Sequence, residues 1–218
     1  MSKSSDSAVV PGEQFDTLEQ QDAASQMGMW VFLSTEIMLF GGLFLGFTAT
    51  RLAYPLAFQL GSRHTDFVLG TLNTAVLLLS SLTMVLAVSA SHQGKRRPLV
   101  LWLLLTLALG TLFMGIKGFE YYGDWQRHEI PGVNFVWNEA EPQHVQLFFL
   151  FYLFMTGLHA IHLTIGIGVV AFITFVAWRR GYNAAYNTPV EVTGLYWHLV
   201  DIVWVFLYPL LYLNGRHH

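Results

Sequence analysis

One carboxylate occupies a position where a membrane helix normally carries an apolar side chain. Glu36 lies nine residues after Met27, inside a long apolar stretch. A charged residue at the bilayer centre costs at least about 2.5 kcal/mol on insertion scales, so such residues usually face a protein interior or a water-filled cavity. Two interpretations of Glu36 stay open: a protonatable group coupled to proton movement, or a hydrogen-bonding group that fixes helix packing.

The same stretch carries a glycine pattern that favours close helix contact. Gly42 and Gly46 are four residues apart, the GxxxG spacing that lets a second helix approach closely. Glu36 precedes Gly42 by six residues, which turns the two about 120° apart around a helix. We therefore expect a helix with two marked faces, one for packing and one for the carboxylate.

Polar residues in the last apolar stretch form a column. The column contains Glu191, His198, Asp201, Tyr208 and Tyr212. Their spacings of seven, three, seven and four residues place them on one side of a helix. His198 and Asp201 are three residues apart, so we expect them to form a hydrogen-bonded pair.

Two histidines of the fourth apolar stretch raise the question of haem ligation. His159 and His162 are three residues apart and share a face, so they cannot ligate opposite sides of one porphyrin. His162 with His198 could do so, and a membrane cytochrome b is therefore one hypothesis. The alternative is an interhelical polar network that joins the fourth and fifth helices.

Other polar residues favour interhelical contacts over catalysis. Lys117 and Glu120 are predicted to form an ion pair near the outer membrane interface, where Lys117 can extend toward headgroups. No hydrolase nucleophile elbow, phosphate-binding glycine loop or zinc-binding HExxH sequence occurs. The sequence predicts no catalytic residue, no metal site and no self-contained active site.

Five apolar stretches must position these residues. Hydrophobic residues make up 54% of the 218-residue chain and charged residues only 11%, against about 25% charged in a typical soluble domain. Each stretch exceeds the roughly 20 residues that a spanning helix needs, and none alternates as a barrel strand would. The sequence predicts an all-α, polytopic membrane protein with spans at 27–50, 67–90, 99–122, 145–178 and 189–213, a polar N-terminal arm at 1–26 and a tail at 214–218.

The charged residues and the lack of cysteine limit the possible functions and predict the orientation in the membrane. A net charge of −3 argues against nucleic-acid binding, and the absence of cysteine excludes disulfides and thiolate metal sites. The excess of Lys and Arg in the N-terminal arm and the second and fourth loops predicts a cytoplasmic N-terminus and a C-terminus on the outer side.

Five segments, one in each span and in the same order, carry a family resemblance. In these segments the chain resembles subunit III of the haem–copper oxidases. The segments are Trp30–Phe47 (WVFLSTEIMLFGGLFLGF), Asn73–Thr83 (NTAVLLLSSLT), Phe119–Tyr122 (FEYY), Thr156–Gly166 (TGLHAIHLTIG) and Tyr196–Tyr208 (YWHLVDIVWVFLY). The resemblance is to the short bacterial form with five helices, of cytochrome c oxidases above all.

The resemblance implies a subunit of an enzyme complex with no active site of its own. Such subunits bind no haem or copper, which reside in partner subunits. They pack on subunit I beside other oxidase subunits, in some cases within a respiratory supercomplex. They hold phospholipid in a cleft and support proton uptake and the durability of the catalytic subunit during aerobic electron transport. The expected location is the bacterial plasma membrane.

The resemblance also carries over individual residues. Glu36 matches the family's carbodiimide-sensitive glutamate beside the cleft. Other family motif positions match Glu120, His159, His162, His198 and Asp201, and Glu191 aligns in the lead-in to the last helix. That lead-in, at 186–192, lacks the histidines of mitochondrial members, which removes any contact placed on them.

Besides the cytochrome b hypothesis, three alternatives remain open at this point. The short form also serves quinol oxidases, and a related branch accompanies nitric oxide reductases. A protein of a different class, an independent proton-coupled transporter, also carries carboxylates within the membrane. Transporters often show internal repeats and broken helices, and the sequence shows no repeat.

Overall fold

The computed structural model of the chain describes residues 14–133, 135, 137, 141–179 and 187–213. The predicted tail at 214–218 and the first 13 residues of the predicted arm lie outside the described residues. The helices are α1 (Leu18–Ala53), α2 (Pro55–His64), α3 (Phe67–His92), α4 (Arg96–Gln126), α5 (Pro142–Arg179) and α6 (Thr188–Tyr208), which continues into a π-helical turn at Pro209–Leu213.

The all-α fold with five membrane helices is confirmed. Within the described residues, five helices are long and apolar enough to cross a membrane: α1, α3, α4, α5, and α6 together with its terminal turn. Each of them starts earlier or ends later than the sequence predicted. Hydropathy detects the apolar part of a span, whereas a helix continues into polar sequence until its backbone is capped.

Helix α1 shows this difference most clearly. It begins at Leu18, where the Thr17 side chain accepts a hydrogen bond from the Gln20 amide at 3.2 Å. The last nine residues of the predicted polar arm are therefore helical. They also contact α6, because Thr188 Oγ1 donates to Asp22 Oδ1 at 2.7 Å.

The first loop contains a short helix that the hydropathy pattern did not indicate. Helix α2 starts at Pro55, a residue suited to the first helical turn, and buries Ala57, Phe58 and Gly61. It packs on α5. With only ten residues, α2 is too short to span a bilayer and caps one end of the bundle.

Four of the long helices form the bundle. Helices α3 and α4 pack along their length as a hairpin, and α6 lies against α3, α5 and α1. Tryptophan and tyrosine side chains of α6 bond α3: Trp197 Nε1 to Ser80, Trp204 Nε1 to Thr74 and Tyr208 to Thr71.

Helix α1 lies at the edge of the bundle. Of its 36 residues only Leu33, Phe40 and Phe47 are buried, at a spacing of seven. This narrow seam is the buried part of the contact between α1 and the bundle. Most of its apolar surface faces outward, toward lipid or another protein chain.

The end of α6 positions a tyrosine in the bundle interior. The π-helical turn at Pro209–Leu213 buries Leu211 and Tyr212. Gly70 of α3 makes room for the Tyr212 ring, since a Cβ at Gly70 would lie 2.8 Å from Tyr212 Cδ1. The turn and the glycine together direct the Tyr212 hydroxyl toward α4.

Candidate functional site

A buried ionic cluster lies between α4, α5 and the end of α6. It consists of Lys117, Glu120, Asp124, Tyr152 and Tyr212, and we call these residues the buried ionic cluster. Lys117 and Glu120 are only 2% and 3% exposed. A buried charge is tolerated only when it is paired and hydrogen-bonded.

The cluster satisfies its charges through a closed set of hydrogen bonds. Lys117 Nζ donates to Glu120 Oε2 at 2.9 Å, to Tyr212 at 2.6 Å and to Tyr152 at 3.1 Å. Both tyrosine hydroxyls then donate to Glu120 Oε1, at 2.6 Å and 2.9 Å. Four aromatic rings surround the ammonium group with centroids 4.8–5.4 Å away. The arrangement fixes the relative positions of three helices.

The predicted Lys117–Glu120 ion pair is confirmed, but the predicted extension of Lys117 toward headgroups is wrong. We expected an ion pair near the membrane interface with Lys117 extended toward headgroups. The ion pair exists, but it is buried in the bundle. Lys117 points inward because Tyr152 and Tyr212 offer hydrogen-bond acceptors there.

Ionic contacts connect the cluster to the surface at the end of α4. Arg127 donates to Asp124 Oδ1 at 2.6 Å and to Glu129 Oε2 at 3.1 Å, and Glu129 Oε1 lies 2.9 Å from His64 Nδ1. Burial alone would lower the pKa of Arg127, but the hydrogen bond to Asp124 and the charge of Glu129 outweigh it, and that pKa is raised. A chain of ionisable groups thus runs from partly exposed His64 into the bundle.

A small cavity adjoins this chain of groups. Its volume is about 60 Å³, and its lining includes Asp124, Glu129, Tyr121 and Tyr152. That volume is large enough for a water molecule, and the carboxylates supply acceptors for its hydrogens.

A second polar contact joins α1 to α5 through Glu36. His162 Nε2 lies 2.9 Å from Glu36 Oε2, and His162 Nδ1 lies 2.8 Å from the Leu158 carbonyl oxygen. A carbonyl only accepts, so Nδ1 carries a hydrogen. The Glu36–His162 contact then also contains one proton, either as a carboxylic acid donating to Nε2 or as an imidazolium donating to a carboxylate. The pair is net neutral in both arrangements.

This pair remains accessible from outside the chain. The side chains of Glu36 and His162 are each 13% exposed, and their neighbours on the outer face of α1, Ile37 and Leu39, are exposed apolar residues. We therefore expect a hydrophobic carbodiimide to label Glu36, because that reagent enters from lipid and attacks protonated carboxyl groups. His162→Leu should increase the labelling, since the histidine no longer competes for the proton.

The labelling is measured by mass spectrometry of peptides from treated membranes. Glu36→Gln is the negative control, and Glu120, whose side chain is only 1% exposed, serves as the internal control. Labelling of Glu120 in preference to Glu36 would contradict the proposed environment of the pair.

The expected His198–Asp201 pair is not formed. His198 Nδ1 instead bonds Ser81 Oγ of α3 at 2.9 Å. Neither carboxylate oxygen of Asp201 has a hydrogen-bond partner among the described residues, although Ser81 lies nearby. His198 therefore binds the hydroxyl of Ser81 on the neighbouring helix and not Asp201, which lies one turn along its own helix.

His159 does not join the polar network either. It is 1% exposed, and neither ring nitrogen has a hydrogen-bond partner among the described residues. Its ring packs against Phe113 and Trp204, at centroid distances of 5.7 Å and 5.1 Å. The predicted network between the fourth and fifth membrane helices is therefore divided into separate contacts.

Glu191 belongs to a third group at the opposite membrane end. His92 Nε2 lies 3.0 Å from Glu191 Oε1, and Asn187 Nδ2 lies 2.7 Å from His92 Nδ1. An apolar groove of about 430 Å³ begins at this pair and runs between α1, α3 and α6, past Trp30 and His198. The residues of the predicted column on the last helix thus contact different partners at different positions along the helix.

The glycine pattern of α1 does not pack two helices of this chain at Gly42. Gly42 is exposed, and a Cβ added there would meet nothing within 4 Å. A Cβ added at Gly46 would lie 3.7 Å from Phe151 Cε1, an ordinary contact distance. Because the buried seam of α1 consists of Leu33, Phe40 and Phe47, Gly42 stays on the outward face.

The structure gives no support to haem ligation by His162 and His198. The two histidines belong to different groups, one bonded to Glu36 and the other to Ser81. Within the part of the chain that the structure describes, no cluster of three or more His, Asp or Glu side chains is arranged for a metal ion.

Sequence reasoning missed Asp124 and Tyr152 of the buried ionic cluster, and it missed Arg127, which binds Asp124. Asp124 and Arg127 continue the face of Lys117 and Glu120 at helical spacing, which was a usable signal. Tyr152 carried no such signal, because its role depends on the rotation of α5 against α4.

The comparisons with known proteins cover almost the whole chain. A sequence model of the family described as "Cytochrome c oxidase subunit III" matches residues 16–216. Two similar proteins are each named "Probable quinol oxidase subunit 3", from Staphylococcus haemolyticus (strain JCSC1435) and Staphylococcus aureus (strain USA300). Each is 27% identical over 201 residues, which cover 92% of this chain and 94% of the relative.

Proposed function

The chain belongs to the cytochrome c oxidase subunit III family, and from that premise we propose that it is the accessory subunit of a respiratory haem–copper oxygen reductase. In this role it binds no haem or copper itself and packs on the subunit that does. The observation that carries the proposal is the family match over residues 16–216, which includes all five membrane helices.

The surface of α1 supports an accessory role. A helix of 36 residues with only three buried residues leaves a broad apolar face, with Gly42 on it, for lipid or a neighbouring subunit. We propose subunit I of the oxidase as the main protein partner. Other oxidase subunits, and in some organisms a supercomplex, complete the assembly.

We assign phospholipid to the groove between α1, α3 and α6. Its walls are apolar, and its polar end at His92 and Glu191 suits a headgroup that offers both hydrogen-bond donors and acceptors. Glu36 lies on the same helix as Trp30 of this groove, and we propose that its pair with His162 keeps α1 in place beside the lipid.

The test of this role is the lifetime of the oxidase during turnover. We expect Glu36→Ala to leave the initial rate of oxygen reduction within about twofold and to shorten the time over which activity persists. The reason is that the pair holds a helix and its lipid, whereas the reaction occurs in another subunit. Oxygen consumption followed to exhaustion measures both quantities, with Ser34→Ala as the control on α1. An immediate total loss of activity would contradict the accessory role.

Two molecules are candidates for the electron donor of the complex. The family description favours cytochrome c, whereas the names of the relatives favour a quinol. Oxygen uptake by the purified complex with reduced cytochrome c, and separately with a short-chain quinol, distinguishes them.

We propose the bacterial plasma membrane as the location, with the N-terminus cytoplasmic and the C-terminus outside.

A further inference from the structure

A groove at the start of α4 combines two arginines with an apolar wall. Its volume is about 430 Å³, and its lining is Arg96, Arg97, Val100, Leu101, Leu104 and Trp178. It lies between the start of α4 and the end of α5. It is distinct from the groove beside α1 that holds the proposed lipid of the family.

The arginines of this groove have no carboxylate partner among the described residues. Across the described residues no ion pair involves Arg96, Arg97 or Arg179. Arg96 Nε donates to the Ala177 carbonyl at 3.1 Å, which holds its guanidinium at the groove, and no described residue accepts a hydrogen bond from its other two nitrogens. Arg179 rests over the Phe175 ring nearby.

Fold stability does not explain two arginines at this place. They occupy the first turn of α4, where the helix dipole already places positive charge, so each cation raises the local potential. An external anion would lower that potential. The positive charge of the groove is therefore complementary to an anionic ligand.

The apolar wall identifies what kind of anion fits. Val100, Leu101 and Leu104 follow the arginines along the same membrane helix, and Leu101 and Leu104 are half exposed. From Arg97 to Leu104 the helix rises by about 10 Å. Along the membrane normal, the groove therefore presents positive charge first and apolar surface next. A phospholipid has its headgroup and acyl chain in the same order.

We propose that this groove binds an anionic phospholipid. The phosphate contacts Arg96 and Arg97, and one acyl chain lies on Leu101 and Leu104 beside Trp178, an aromatic residue suited to the headgroup level. Basic pockets between membrane helices are established sites for such headgroups. The proposal does not depend on which complex the chain belongs to.

The test is a lipid titration of the full chain, with its co-purifying subunits, in mild detergent. Native mass spectrometry counts bound phosphatidylglycerol and, separately, phosphatidylcholine. We expect phosphatidylglycerol to bind more tightly. Arg97→Gln should weaken it about fivefold and Arg96→Gln/Arg97→Gln about thirtyfold, since each cation contributes about 1 kcal/mol at a membrane surface. Phosphatidylcholine binding should not change.

Two further variants make the test specific. Arg51→Gln removes a cation in the last turn of α1, at the other membrane end, and should leave phosphatidylglycerol binding unchanged. Leu101→Trp fills the groove with both arginines intact and should weaken binding even if the arginine variants fold poorly. Glycerophosphoglycerol, which lacks acyl chains, should not compete.

Three results would overturn the proposal. The first is equal affinity for the two lipids. The second is full competition by glycerophosphoglycerol, which would mean a phosphate site without a chain groove. The third is loss of a protein subunit from the double variant with unchanged lipid count, which would mean that the groove is a protein interface.

Discussion

Lys117→Met is expected to destabilise the folded chain by about 3–5 kcal/mol, the range for breaking a buried ion pair by removing one partner. The substitution removes the ion-pair partner of buried Glu120, and Arg127 of the adjoining ionic contacts is engaged with Asp124 and Glu129. Methionine has a similar volume, so the effect reports lost charge pairing and not a cavity. The measurement is the midpoint of unfolding in a denaturing detergent, followed by circular dichroism.

The double variant Lys117→Met/Glu120→Gln separates charge pairing from packing. It removes both charges, and the glutamine still offers an oxygen to the hydroxyls of Tyr152 and Tyr212. We expect it to recover at least half of the loss, because replacing a whole buried pair is often nearly neutral. A double variant as unstable as Lys117→Met would contradict the interpretation of the cluster as a paired charge network.

Gly61→Ala is the second change expected to have a large effect. A Cβ at Gly61 would overlap Phe148 Cδ1 and would lie 2.7 Å from Phe148 Cγ. The Phe148 ring is fully buried and packs against Phe47 and Phe58, so it has no free space to enter. We expect a loss of about 1–3 kcal/mol, typical of overpacking, and partial detachment of α2 from α5.

The matched control for this change is Gly41→Ala. Gly41 is also helical, and a Cβ there meets nothing within 4 Å. Alanine is intrinsically favoured over glycine in a helix interior by about 1 kcal/mol, so the control should be neutral or stabilising. Limited proteolysis near α2 and the unfolding midpoint measure both variants. Equal stability of the two would show that Phe148 moves aside and would contradict the packing described here.

The number and type of the membrane helices could be predicted because the bilayer imposes a simple rule. Long apolar segments must satisfy their own backbone hydrogen bonds, so each becomes a helix. Helix ends were harder to predict. The cap at Thr17 and the prolines at Pro55 and Pro209 act through local backbone chemistry that a hydropathy window averages away.

The individual candidate residues could be found, but most of their partners could not. Glu36 and His162 each stood out in the sequence, yet their contact depends on how α1 lies against α5. The predicted His198–Asp201 bond failed because Ser81 of α3 competes for the histidine. Tyr212 reaches Lys117 only because of the π-helical turn after Pro209, which no periodic pattern encodes.

These contacts give the polar residues of the membrane region two different roles. The buried ionic cluster is fully paired and fixes α4, α5 and the end of α6 relative to one another. The Glu36–His162 pair is partly exposed, contains one shared proton and lies on the helix with the least burial. A stabilising core and one accessible protonatable pair are the properties expected of a helper subunit.

The most direct test of the central claim is purification of the tagged chain from its native membrane in mild detergent. We predict that a haem–copper subunit co-purifies in about equal amounts, with a haem spectrum and oxygen-reductase activity in the same fraction. We also predict that removal of this partner abolishes the haem spectrum of the remaining chain. A chain that purifies without a haem-containing subunit, and that conducts protons by itself in liposomes, would contradict the account.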